Sequence, residues 1–217
     1  IREISDLVHE VGALLVVDAV TSYGGVRLHM DEWGIDALYS GSQKCLSAPP
    51  GLSPVSLSAA AIDVLDHRKT KVQSWFLDLT MVKNYWEGSR RAYHHTAPVS
   101  AIYALHEALA LVIEEGIEHR WERHHQVHLL LRSKLEALGF RYLVEEDYRL
   151  PNLNSVYLPE GVDEAVMRQR LLNEYNIEVG GGLGAFAGKI WRIGLMGESC
   201  TPNHVHMLIG ALEDLLP

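Results

Sequence analysis

Two short apolar runs, each leading into a polar group, constrain the fold of this chain more than any other feature. Ala13-Leu14-Leu15-Val16-Val17 ends in Asp18. The stretch Ile35 to Leu38 leads through Tyr39 into Ser40-Gly41-Ser42-Gln43-Lys44. Runs of this length and composition, bounded by Gly- and Ser-rich turns, read as buried strands. Ahead of the first, Ile4, Leu7, Val8 and Val11 recur at helical spacing. Residues 1–58 therefore read as helix, buried strand, Gly-rich turn, short helix, strand, loop and strand. That alternation predicts an α/β fold with a mostly parallel sheet. Open sheets of this kind build their sites at the carboxyl ends of the strands, where Asp18 and Lys44 fall.

The rest of the chain changes character. Helices are expected over 59–66 and 78–87. Pro98 opens a long helical pattern with Ile102, Leu105, Leu109, Val112 and Ile113 as its apolar stripe. Gly116 breaks it, and a further helix is expected from Ile117 to Leu138. Beyond Gly139 the pattern turns to short strands (141–144 and 154–158), a helix (163–175), strands at 177–179 and 190–193, and a final helix at 202–216. The expected organisation is a large domain with its long connecting helix over 1–116 and a small α+β domain over 117–217.

Composition narrows the function classes. A net charge of −9 argues against a general nucleic-acid footprint. No apolar run approaches the ~20 residues of a membrane span; Val99 to Ile113 is interrupted by His106 and Glu107. Two cysteines, Cys45 and Cys200, make no disulfide framework, so a cytoplasmic setting is the default, with organellar targeting left open.

The chemistry lies in Asp18 and Lys44. A partly desolvated lysine is a nucleophile towards carbonyls. Together with a strand-end carboxylate it suggests pyridoxal phosphate, whose Schiff-base lysine works beside a carboxylate that keeps the pyridine nitrogen protonated. Each residue also has a plainer reading: Lys44 as a surface turn residue, Asp18 as a cap or turn former. An Asp after five apolar residues is costly unless its charge is paired.

Five ordered segments resemble the class V aminotransferases, fold-type I pyridoxal phosphate enzymes, and most of all those of the alanine–glyoxylate and serine–pyruvate type. They are Val17-Asp18-Ala19-Val20-Thr21-Ser22-Tyr23-Gly24-Gly25, Ser40 to Lys44, Ala48-Pro49-Pro50-Gly51, Ala92-Tyr93-His94-His95-Thr96-Ala97-Pro98 and Trp191-Arg192-Ile193-Gly194. The resemblance implies that Lys44 is the Schiff-base lysine and the base at the substrate Cα. It implies that Asp18 partners the pyridine nitrogen, that Val20 packs on the ring and that Gln43 binds the cofactor phosphate. It further implies that Tyr93 and Thr96 reach the phosphate of the neighbouring subunit in a homodimer with shared active sites, and that Arg192 grips the substrate α-carboxylate. Local alternatives stand beside these roles: Thr96 as a helix cap, Arg192 in a structural ion pair, Gln43 as a turn amide, and Ser22 as a turn cap or a group near the ring. Members of the family are longer and carry the lysine near mid-chain. The chain is therefore expected to be the C-terminal part of a longer enzyme acting on small amino acids and 2-oxo acids.

Other readings are a lyase or desulfurase on the same fold, or a truncated, inactive chain. Desulfurases of the group have His before the lysine and a mobile Cys, whereas Gln43 precedes Lys44 and the adjacent Cys45 is expected to point away. Gly180-Gly181-Gly182-Leu183-Gly184 does not give GxGxxG and reads as a mobile loop near the substrate. His124 and His128, four apart on a helix, read as a solvated face, and no metal is expected from the twelve histidines. His94 and His95 read as interface or site-lining groups.

Overall fold

The computed structural model describes residues 1–85, 87 and 92–216. The chain divides into two compact units. The first comprises 1–20, 29–42 and 49–106; the second comprises 21–28, 43–48 and 107–217. The segment carrying Lys44 belongs to the second of these units.

In the first unit, helix α1 (Arg2–Glu10) precedes strand β1 (Val16–Asp18), which pairs in parallel with β2 (Ala37–Tyr39). Strand β3 (Val55–Leu57) pairs antiparallel with β2. Helices α2 (Ala59–Asp66) and α3 (Leu79–Lys83) follow, capped by the side chains of Ser58 and Asp78. Of the helix expected over 78–87, residue 86 lies outside the described residues. The segment between β1 and β2 is a run of turns, with no short helix.

In β2 Leu38 is 4% exposed, whereas in β1 Val16 is 62% exposed. In the order β1-β2-β3, β2 is the central strand of the three. Hydropathy also mislabels Asp36, which is buried within the second apolar stretch. Its carboxylate accepts from His9 Nε2 (2.7 Å), the Leu15 N–H (2.9 Å) and the Ser58 hydroxyl (2.9 Å), fastening α1, the approach to β1 and the N-cap of α2 to one group. Burial raises the Asp36 carboxyl, but these donors outweigh it and hold it below the ordinary range. Helix α1 packs through Ser5, which donates to Gly34 O at 2.8 Å, while Ile4, Leu7 and Val11 are exposed.

Helix α4 (Val99–Glu115) contributes residues 99–106 to the first unit and 107–115 to the second. Its buried positions are Ala108 and Val112, whereas Ile102, Leu109 and Ile113 of the expected stripe are exposed. Val112 of the expected stripe is buried and Leu105 half-buried, while the others face outward.

The second unit holds helix α5 (Ile117–Ala137) and an antiparallel sheet in the order β4-β5-β7-β6. Its strands are β4 (Arg141–Tyr142), β5 (Leu153–Tyr157), β6 (Gly180–Gly181) and β7 (Ile190–Gly194). Helices α6 (Glu164–Tyr175) and α7 (Pro202–Leu215) complete it. Leu131, Leu135, Phe140, Val156, Leu171, Trp191 and Leu212 form the centre of its core. The strand expected at 177–179 is displaced to Gly180–Gly181. Asn176 ends α6 in the left-handed conformation, and the Ile177 N–H is used to cap Leu171 O.

Candidate active site

Asp18 closes β1, and its Oδ1 accepts the N–H of half-buried Val20 at 2.9 Å. Tyr39 stands opposite Asp18 in the parallel register. The Asp18 carboxylate beside it, with burial second, raises the Tyr39 phenol above its ordinary value. The carboxylate itself is exposed, so the cost expected for an Asp buried at the end of an apolar strand does not arise. Sequence reasoning missed Tyr39, because strand register is a tertiary property.

Lys44 lies half-buried on a turn after exposed Gln43. The Ser47 N–H closes that turn on Lys44 O at 2.9 Å. Ser47 takes φ +61°, a left-handed conformation that a non-glycine residue holds only when its surroundings fix it. Among the described residues, the Lys44 amine has no hydrogen bond or ion pair, unlike that of Lys83, which is held by Asp66. Cys45 and Leu46, which follow Lys44, are buried, at 0% and 2% exposed. Burial pushes the Cys45 thiol up, and its hydrogen goes to Thr21 O at 3.2 Å. A buried, protonated thiol of this kind is inert. Its side chain is committed to Thr21 and Asn152, as the sequence reading expected of a residue pointing away.

In the first unit, the hydroxyls of Tyr93 and Thr96 hydrogen-bond each other at 2.5 Å, both on exposed side chains just ahead of α4. Thr96 is thus engaged by Tyr93. His94 between them is buried; its Nε2 bonds Trp75 O at 3.0 Å, its Nδ1 bonds His95 Nδ1 at 2.8 Å, and its ring lies 4.1 Å from that of Trp75.

Arg192 sits in the middle of β7, opposite Ser155 on one side and Gly180 on the other. Its Nε donates to Gly181 O at 2.8 Å. Among the described residues, neither Nη has a hydrogen bond or ion pair, whereas Arg120, Arg123, Arg132, Arg168 and Arg170 all pair with glutamates. This guanidinium is anchored at one edge and leaves its two-pronged edge available. Gly180 and Gly181, expected in a loop, instead form the edge strand β6 beside it. A Cβ at Gly180 would lie 3.5 Å from Arg192 Nη2.

Two histidines read as a solvated face are instead buried. His124 Nδ1 bonds Arg120 O at 2.7 Å and its Nε2 accepts the Gly197 N–H at 3.0 Å. His128 Nδ1 bonds Asn154 Oδ1 at 2.7 Å. Burial holds both rings below their ordinary basicity. Arg120, His124 and His128 recur every four residues and run on into Leu131 and Leu135. That spacing was the available signal that α5 turns a polar stripe inwards. No group of three His, Cys, Asp or Glu side chains able to hold a metal occurs among the described residues.

By unit, Asp18, Val20, Tyr93 and Thr96 belong to the first, and Gln43, Lys44 and Arg192 to the second. The structure joins Asp18 to Val20 and Tyr93 to Thr96 by direct hydrogen bonds.

Residues 1–193 match the aminotransferase class-V family model. The chain is 44% identical over 97% of its length to the alanine–glyoxylate aminotransferase of Callithrix jacchus, of which it covers 52%. It is 36% identical over its whole length to the (S)-ureidoglycine–glyoxylate transaminase of Bacillus subtilis, of which it covers 56%. Among solved structures, the alanine–glyoxylate aminotransferase of a Nostoc species superimposes with a TM-score of 0.95 at 50% identity, over 99% of this chain and 56% of that one. The chain thus spans about half the length of the relatives it matches, and it has the fold-type I architecture of these aminotransferases. From residue 1 to residue 193 it belongs to the class-V aminotransferase family.

Proposed function

We propose that the full-length protein is a pyridoxal phosphate-dependent aminotransferase. It moves an amino group from alanine or serine to glyoxylate or pyruvate in a ping-pong cycle. The observation that carries this reading is Lys44: a half-buried amine that, among the described residues, has no hydrogen-bond or ion-pair partner, on a turn whose following residue Cys45 is held by Asn152 and Thr21. Two relatives with different amino donors in their names share glyoxylate, which supports the acceptor more firmly than the donor.

The donor set suits the cofactor. There is one amine for its aldehyde, one carboxylate for its ring nitrogen, hydroxyls and an amide for its phosphate, and a guanidinium for the substrate carboxylate. Bound pyridoxal phosphate supplies an electron sink for the bond broken at the substrate Cα. In this reading Asp18 keeps the pyridine nitrogen protonated, with the Val20 N–H orienting the carboxylate. Val20 packs against one face of the ring, and Gln43 donates to the phosphate. Lys44 moves the proton at the substrate Cα as general base. Arg192 receives the α-carboxylate on its Nη edge, oriented by the Nε anchor on Gly181 O.

Tyr93 and Thr96 serve the phosphate of a second subunit, so the enzyme is a homodimer with shared active sites. The supporting feature is a pair of exposed hydroxyls already brought within hydrogen-bond distance. The two buried, free thiols support the cytoplasm as its compartment. Among the described residues, no helix is long and apolar enough to cross a membrane. The buried, protonated Cys45 favours the aminotransferase reading over a desulfurase that would employ this thiol.

The test is borohydride fixation of pyridoxal phosphate in the full-length protein, followed by peptide mapping. The adduct is expected on Lys44 and is expected to be lost, with all transamination, in a folded Lys44→Ala variant. Wild-type fixation in that variant places the reactive lysine elsewhere.

A further inference from the structure

We infer that Asn152 and Arg120 are positioning residues for Lys44, acting through a clamp on the turn that follows it. The inference rests on the role proposed for Lys44 above. Every contact that carries it lies within the second unit.

The clamp grips the turn at three points. At Cys45, Asn152 Nδ2 donates to Sγ at 2.9 Å and also to Thr21 O, the acceptor of the Cys45 thiol hydrogen. Thiol, amide and carbonyl thereby form a closed triangle around the side chain next to Lys44. At the Cys45 carbonyl, Arg120 Nη2 donates at 2.8 Å from a position 75 residues downstream. The same guanidinium holds Glu198 at 2.8 Å through Nη1. At Ser47, Oγ accepts the Glu198 N–H at 2.9 Å, which stabilises the left-handed Ser47 backbone. Gripping Cys45 and Ser47 leaves Lys44 little backbone freedom, since the Ser47 N–H is bonded to Lys44 O.

The packing around these groups is too tight to be incidental. A Cβ at Gly25 would lie 2.6 Å from both Asn152 Nδ2 and Cys45 Sγ, and one at Gly197 would lie 1.8 Å from Ser47 Oγ. Asn152 and Arg120 are both 0% exposed. Among the described residues, Asn152 Oδ1 has no hydrogen-bond partner, a destabilising feature in a buried amide. A group kept despite that cost suits a task of placement. Amine chemistry needs such placement, because misplacing a reacting group by about 1 Å costs on the order of 100-fold in rate.

The experiment uses full-length protein stripped of cofactor. Pyridoxal phosphate is added, borohydride quenches the mixture at intervals, and the rate of fixation on the Lys44 peptide is read by mass spectrometry. Hydrogen exchange of the 44–48 amides and steady-state kinetics accompany it. Asn152→Ala is expected to slow fixation by roughly 10- to 100-fold, speed exchange at the Ser47 amide, and lower kcat with KM for the oxo acid near wild type. Leu171→Ala, a core truncation in the same unit, is expected to lower the melting temperature while leaving the fixation rate within about twofold. Fixation on Lys44 at the wild-type rate in Asn152→Ala overturns the inference, as does equal slowing in Leu171→Ala. If Asn152→Ala does not fold, Cys45→Ala removes the same triangle and is read by the same criteria. An adduct on another lysine in the wild type overturns the proposed function as well, which separates the two failures.

Discussion

Replacing Arg192 by lysine tests how the substrate carboxylate is held. Lysine keeps the charge but offers a single rotating ammonium in place of a planar fork. In the structure, Nε is occupied by Gly181 O at 2.8 Å, so the Nη edge is fixed in direction before any ligand arrives. Arg192→Lys removes that anchor and one of the two charged hydrogen bonds. A hydrogen bond to a charged group is worth about 1.5–3 kcal/mol. Losing one, together with the preset orientation, is expected to cost about 2–4 kcal/mol of transition-state binding, or roughly 30- to 1,000-fold in kcat/KM. The assay is steady-state kinetics on full-length protein, varying alanine and glyoxylate in turn. Both half-saturating concentrations should rise, because amino acid and oxo acid share the carboxylate. Fixation of pyridoxal phosphate on Lys44 should be unchanged. Normal substrate kinetics, or failure to bind the cofactor, would refute the assignment.

Asp18→Asn is expected to lower turnover by orders of magnitude and alter the visible spectrum of the bound cofactor, since a neutral amide cannot hold the pyridine nitrogen protonated by charge pairing; unchanged turnover in a folded variant removes Asp18 from the mechanism. Gly25→Ala should destabilise the protein by about 1–3 kcal/mol through overpacking against Asn152 and Cys45, measured by chemical denaturation; a neutral effect contradicts the packing described. His124 and His128 are each held below their ordinary basicity in the folded state, chiefly by burial. The unfolded chain therefore binds more protons as pH falls through the unfolded value of about 6.5, and stability should drop below that pH by up to about 1.4 kcal/mol per pH unit for each ring until its folded value is reached. Denaturation midpoints measured between pH 5 and pH 8 on wild type and His128→Asn check this, with a shallower decline expected in the variant.

Legible in the sequence were most of the helices and strands, the strand-end placement of Asp18, the turn carrying Gln43 and Lys44, and the family; the expected short helix after β1 and the loop at Gly180–Gly181 were not as read. The legible properties are written in local patterns: apolar runs closed by polar groups, Gly and Pro punctuation, and short ordered segments. The sequence misjudged which faces are inside. Ile102, Leu109 and Ile113 are exposed on α4 although they are its larger apolar side chains. His124 and His128 are buried because their ring nitrogens find Arg120 O, the Gly197 N–H and Asn154 Oδ1, partners that make a polar interior tolerable. Tertiary structure alone decided what holds the candidate site. Tyr39 meets Asp18 only through strand register, Arg192 is aimed only by β6, and Cys45 is clamped by Asn152 from 107 residues away. Hydrogen bonds across such separations leave no periodicity in the chain, because each is set by where whole elements pack and not by the neighbours of the residues that make it.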